Sequence, residues 1–208
     1  MWVTNPYEVV QDFEHAVSMY TGAPYAVAVD SCTHAIFLCC KYHEVDKLDE
    51  VIIPRCTYVS VPAEIIHAGG RVGFADRSWS GEYQLAPTPI WDSAKRFTST
   101  MYQPGAFQCL SFHFAKIMDA GRGGMILHDD EVADKWFRKA RFSGRTTGVP
   151  LREEKIDMVG WHYTMDPVFA VQGLLRMSRV NQHNQDQWEE YQDLSQFKCF
   201  TEANRKKD

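Results

Sequence analysis

Tyr25-Ala26-Val27-Ala28-Val29-Asp30-Ser31-Cys32-Thr33-His34-Ala35-Ile36 is the stretch that decides the fold. A short apolar run ends on a polar turn and passes directly into a helical run that continues through Leu38 and Cys39, the order of a buried strand feeding a helix. Upstream, Asn5 stands as a cap, Pro6 at the first helical position and Glu8 three residues after the cap, ahead of Val9, Val10, Phe13, Ala16, Val17 and Tyr20 at helical spacing. That pattern predicts an amphipathic helix stopped at Gly22. Downstream the unit recurs, with Val51 to Pro54 as a strand, Thr57 to His67 as a helix, and Arg71 to Ala75 as a strand after Gly69-Gly70. Three short runs follow, Thr88 to Trp91, Cys109 to Phe114 and Gly124 to His128, then a helix from Asp130 to about Phe142. An irregular polar stretch, Ser143 to Asp157, leads to a long final helix from about Asp166 into the Gln182 to Gln196 region.

Alternation of this kind implies right-handed crossovers and a mostly parallel sheet with helices on both faces, a three-layer α/β fold. No internal repeat or linker divides the chain, so residues 1–208 are expected to form a single domain with a long C-terminal helix and a short tail.

Composition narrows the function classes. The 208 residues are 45% apolar and 24% charged, within the range of ordinary globular proteins. A net charge of -5 argues against a nucleic-acid binder, since such proteins concentrate Lys and Arg along the phosphate backbone. The basic run Arg205-Lys206-Lys207 reads as a solvated tail. No apolar stretch approaches the ~20 residues that span a bilayer, and Met1 to Pro6 lacks the order of a signal peptide, so no membrane partner and a cytoplasmic location are expected. The six cysteines lie scattered without metal-ligand or disulfide-framework spacing and read as reduced, mostly core residues.

In a parallel α/β sheet, ligands sit outside the carboxyl ends of the strands, where helix N-termini present unpaired N–H groups to anions. Several polar residues fall at such ends: Ser31-Cys32-Thr33 after the first strand, Asp92 after Pro89-Ile90-Trp91, and Ser111 with Lys116 around Cys109 to Lys116. Each has an ordinary structural explanation by itself. Asp92 suits a turn or helix cap, Ser31 to Thr33 a cap, and a single lysine a surface charge.

Taken together these blocks resemble the fold-type-I pyridoxal phosphate enzymes, and more closely the DegT-type sugar aminotransferases. The family's S-G-T-A-A-L is matched by Ser31-Cys32-Thr33-His34-Ala35-Ile36, its P-x-x-T-aromatic by Pro54-Arg55-Cys56-Thr57-Tyr58, and its D-A-A-Q by Asp92-Ser93-Ala94-Lys95. Its S-F-x-x-x-K followed by G-E-G-G is matched by Ser111 to Lys116 followed by Gly121-Arg122-Gly123-Gly124, and its G-x-x-Y-N by Gly160-Trp161-His162-Tyr163-Thr164.

The resemblance implies an aminotransferase that moves an amino group from an amino-acid donor, glutamate, to a nucleotide-linked keto-sugar. Lys116 would attach to the cofactor aldehyde and shuttle protons, since an amine of lowered pKa serves as both nucleophile and base. Asp92 would pair with the pyridinium nitrogen, and Tyr58 would stack on the ring. Cys32 and Thr33, through their backbone, and Ser111, through its hydroxyl, would hold the phosphate. Thr164 would reach the phosphate of a neighbouring subunit, implying a homodimer.

The sequence departs from the family at Cys32 (usually Gly), Lys95 (usually Gln or His), Arg122 (usually Glu) and Thr164 (usually Asn). Family members also continue into a smaller C-terminal domain, whereas this sequence ends soon after Cys199-Phe200. Two other readings therefore stay open, a non-transaminating enzyme with the same cofactor and a binding or assembly protein descended from such an enzyme.

Overall fold

Val27 and Val29 point to one side of the first strand and Ala26 and Ala28 to the other, and this alternation organises the whole chain around a central sheet. The computed structural model describes residue 5 and residues 7–204. Pro6, the opening Met1 to Thr4 and the basic run Arg205 to Lys207, all read above from sequence, lie outside the described residues.

The first helix, α1 (Glu8–Thr21), begins later than predicted. Asn5 does not cap it directly. Tyr7 is the capping residue, and Asn5 Oδ1 instead accepts from the Tyr7 amide at 3.0 Å. It ends as expected at Gly22, whose φ of 80° lets the chain turn back while its N–H closes on Ser18. Strand β1 (Tyr25–Val29) follows, then α2 (Cys32–Tyr42), with Ser31 accepting from the His34 amide as N-cap. Next come β2 (Glu50–Pro54), α3 (Ser60–Ala68), β3 (Arg71–Ala75), β4 (Tyr83–Gln84) and β5 (Ile90–Asp92). The chain continues through β6 (Phe107–Ser111), β7 (Gly124–His128) and α4 (Glu131–Ala140), whose cap Asp130 accepts from the amides of Val132 and Ala133. It closes with α5 (Pro167–Met177) and a short α6 (Lys198–Thr201).

Two sheets result, one ordered β1-β7-β6-β5-β4 and one pairing β2 with β3, bridged where Ile52 and Ala86 exchange backbone bonds of 2.7 and 3.1 Å. β5 pairs parallel with β6, and β2 with β3. β7 runs antiparallel to both its neighbours, so β1, β5 and β6 share one direction and bring their carboxyl ends to one edge. The β6–β7 connection holds no helix, and so the chain returns in the opposite sense.

Helices cover both faces. Val27, Val29, Cys109 and Ile126 pack with α2, α3 and α4, whereas Ala28, Leu110, Met125 and Leu127 pack with α1 and α5. Gly173 of α5 lies on the Phe13 ring with no room for a Cβ, which sets how closely α1 and α5 approach. Within the α1 layer, Glu14 is buried and accepts from the Ala28 amide at 2.9 Å, from Arg138 at 2.7 Å and from Arg141 at 2.5 Å. Burial raises the Glu14 pKa, but Arg141 and Arg138 outweigh it, and the net value is lowered.

The final helix corrects the sequence reading. It stops at Met177 rather than running into the Gln182 to Gln196 region. There the Asn184 side chain and the backbone find partners elsewhere. Asn184 donates to the Phe97 carbonyl at 2.8 Å, the Ser99 amide donates to Gln182, and the Gln187 amide donates to Lys95. Residues 178–193 thus form an irregular segment held against the 95–99 loop, fastened by two Arg96–Asp186 bonds of 2.9 and 2.5 Å.

Candidate active site

The carboxyl ends of β1, β5 and β6 open into a cleft of about 500 Å³. Its first wall is the start of α2. Cys32 and Thr33 occupy the first turn, where backbone N–H groups have no partner inside the helix. The α2 terminus can sit this deep because Gly124 lacks a side chain; a Cβ there would fall on the Cys32 amide nitrogen. Gly123, at φ 128°, pairs with Ser31 across the same seam. The Cys32 thiol faces inward, 3.4 Å from the Cys109 carbonyl, and burial pushes its pKa well up. It is an inert floor. The Thr33 hydroxyl donates to Ser60 Oγ at 3.0 Å.

Asp92 ends β5 and is only 3% exposed. Its Oδ1 accepts from the Ala94 amide at 3.0 Å. Burial raises its pKa, while the Ala94 N–H, the Tyr83 hydroxyl and Lys116 pull the other way. This carboxylate is under-compensated: no arginine or lysine forms an ion pair with it among the described residues.

Lys116 lies on the turn beyond β6, where its amide donates to the His113 carbonyl at 2.9 Å. Its ammonium has no ion-pair partner among the described residues. Its pKa is lowered, first by burial and then by Lys95, against the opposing pull of Cys32, Asp92 and Glu189. An amine that loses its proton more readily than usual is a better nucleophile at neutral pH.

Lys95 is 6% exposed, and its Nζ donates to Glu189 Oε2 at 2.5 Å. The same oxygen accepts from the Tyr191 hydroxyl at 3.0 Å. Ser111 borders the cleft at the end of β6, and Tyr58 forms its outer lip at 55% exposure, edge-on to Tyr191.

Of the residues singled out from sequence, Cys32, Thr33, Tyr58, Asp92, Lys95, Ser111 and Lys116 share this one cleft. Thr164 does not line it. The preceding Tyr163 accepts from the Asp30 amide at 3.0 Å and stacks on His34, which leaves Thr164 just outside. Sequence reasoning missed Trp79, Tyr83, Glu189 and Tyr191. Tyr83 bonds the Thr57 hydroxyl at 2.5 Å and backs Asp92, while Trp79 donates to the Cys56 carbonyl and stacks on Tyr191. Alternation along Glu82-Tyr83-Gln84-Leu85 could have exposed Tyr83 as an inward residue; nothing local marks Glu189.

The donor set fits a flat, anionic, aldehyde-bearing group. It offers a free amine, a buried carboxylate for a ring N–H⁺, a helix N-terminus and a serine hydroxyl for a phosphate, and an aromatic lip.

The sequence profile described as the DegT/DnrJ/EryC1/StrS aminotransferase family matches residues 1–100 and 90–204. The chain is 25% identical over 225 residues to the GDP-perosamine synthase of Caulobacter vibrioides, covering 88% of this chain and 60% of that protein. It is 30% identical over 169 residues to the spore coat polysaccharide biosynthesis protein SpsC of Bacillus subtilis, covering 61% of this chain and 43% of the relative. Among solved structures, the sugar aminotransferase CalS13 of Micromonospora echinospora superposes with a TM-score of 0.70 at 16% identity, covering 83% of this chain and 61% of that one. Helicobacter pylori PseC, an aminotransferase of pseudoaminic acid biosynthesis, superposes at 0.71 and 15% identity, covering 83% and 58%. The chain thus spans about three fifths or less of the length of these relatives.

Proposed function

Because the chain belongs to the DegT/DnrJ/EryC1/StrS aminotransferase family, we propose that it is a pyridoxal phosphate-dependent enzyme that passes an amino group from glutamate to a nucleotide-linked keto-sugar. The observation that carries this reading is the presence in one cleft of the Lys116 amine, without an ion-pair partner among the described residues, and the buried Asp92 carboxylate. Relatives named GDP-perosamine synthase and a spore coat polysaccharide biosynthesis protein support the choice of acceptor.

When bound, pyridoxal phosphate supplies an aldehyde carbon for amines and a ring that accepts electrons from the carbon they are attached to. The chain's residues do the rest. Lys116 would hold the group covalently and would take up and release a proton at Nζ; its pKa, lowered chiefly by burial, favours both tasks. Asp92 would face the ring nitrogen. Starved of water and of cationic partners, its carboxylate would gain more from a protonated ring nitrogen than an exposed one could. The first-turn amides of α2 and the Ser111 hydroxyl would receive the phosphate, and Tyr58 would cover one ring face.

A homodimer fits the exposed apolar residues beside the cleft. Val168, Val171 and Leu175 on α5 and Phe114 at the cleft mouth are all more than two fifths exposed, an apolar surface of the kind that subunits cover. In such a pair, Thr164 would serve the neighbouring subunit rather than its own cleft.

The test is spectroscopic. Purified protein given pyridoxal phosphate should develop a visible absorbance band that is absent from Lys116→Ala and that shifts when glutamate is added. A protein that stays colourless with excess cofactor, or a Lys116→Ala variant that keeps the band, contradicts the proposal.

A further inference from the structure

The cleft holds two lysines, and their surroundings differ. Lys95 is buried and clamped at 2.5 Å by Glu189, a carboxylate delivered by the return segment that follows α5. Lys116 has no carboxylate within hydrogen-bonding distance among the described residues. Glu189 is held in turn by the Tyr191 hydroxyl, and the backbone around the clamp is tied by Gln187 N–H to the Lys95 carbonyl at 2.9 Å and Lys95 N–H to the Gly81 carbonyl at 3.1 Å. Lys95 is therefore fixed in place and is not free to act as a second nucleophile. From this we infer that the two lysines divide the work, Lys116 being the reactive amine and Lys95 a positioning residue whose clamped charge governs how reactive Lys116 is, with Glu189 setting the strength of that charge. The inference rests on the reading of Lys116 given above, and it extends that reading to two residues, Lys95 and Glu189.

Every charged neighbour of Lys116 bears on it. Asp92 after β5 and Glu189 from the return segment favour the protonated amine, whereas burial and Lys95 oppose it; the Cys32 thiol on α2, its own pKa pushed well up by burial, stays neutral. Asp30 at the end of β1 is engaged by His34 at 2.6 Å, Tyr191 is engaged by Glu189, and His113 and Arg122 border the mouth of the cleft. The clamp thus sets a positive and a negative charge in the cleft that Lys116 also lines, a pair that can be altered from either end.

The experiment measures the Lys116 amine directly, without cofactor. The 208-residue protein is pulsed with acetic anhydride across a range of pH, and acetylation of the Lys116 peptide is quantified by mass. In Lys95→Met, labelling of Lys116 at about pH 8 should slow by roughly threefold to tenfold, since each unit of midpoint is about a decade of free amine. Glu189→Gln should speed it, and Lys95→Arg, which keeps the charge, should match the parent. A folded Lys95→Met protein that labels like the parent at every pH overturns the inference. If Lys95→Met does not fold, parental labelling in Glu189→Gln, a change at a half-exposed position, overturns it equally. The outcome is separate from that of the proposed function. Labelling shifts in a protein that never takes up pyridoxal phosphate would sink the function alone, and cofactor capture with unaltered labelling would sink only the division of labour.

Discussion

Glu14 and Asp92 are both carboxylates almost wholly removed from water, at 4% and 3% exposure, and the fold treats them in opposite ways. Glu14 meets two guanidinium groups and a backbone amide, so each of its oxygens is bonded to an arginine and its pKa falls. Asp92 meets one amide and a tyrosine hydroxyl, keeps no cation as an ion-pair partner among the described residues, and its pKa rises. A buried charge that is fully answered ties elements together; one left under-answered holds free energy that a ligand can recover on binding. By this measure the α1 layer is scaffold, and the carboxyl edge of β1, β5 and β6 is the proposed working end.

The largest effect on stability should come from breaking the scaffold hub. Glu14→Gln leaves Arg141 buried without its charge partner and should cost about 3–5 kcal/mol in urea unfolding, while the protein that remains folded still captures the cofactor. The pH dependence has a definite sign. The folded-state pKa of Glu14 is depressed, so its contribution is complete above its ordinary value of 4.5 and is lost as pH falls through the folded value. The gap between parent and Glu14→Gln should therefore narrow on acidification; a gap constant with pH would remove the electrostatic explanation.

Asp92→Asn should do the reverse. The folded-state pKa of Asp92 is raised, so ionisation weakens the fold as pH climbs from the unfolded value through the folded one. The amide can still accept from Ala94, and stability at neutral pH should stay within about 1 kcal/mol of the parent or exceed it. Absorbance on adding pyridoxal phosphate should change at the same time, since the proposed partner for the ring nitrogen is gone. A strongly destabilised Asp92→Asn protein would mean that this carboxylate is scaffold after all.

The same contrast explains what could be read from sequence. Strand, turn and helix were legible from Tyr25 to Cys39 because periodicity and caps are local, and the site blocks were legible through their resemblance to the family's motifs. The reversed direction of β7 was not, since nothing in Gly124 to His128 encodes which way a strand runs. Nor was the early stop of α5 at Met177, because the polar residues beyond it take partners more than eighty positions away, as Asn184 does at Phe97. For that reason Glu189, the carboxylate that clamps Lys95, was invisible to a reading of neighbours.

One chemical measurement bears most directly on the account. Protein incubated with pyridoxal phosphate is reduced with borohydride, digested, and the modified peptide identified by mass. The account predicts a single stoichiometric modification on Lys116, with Lys95 untouched despite lying in the same cleft. Modification of Lys95, or of surface lysines in proportion to their exposure, or none at all, would contradict it.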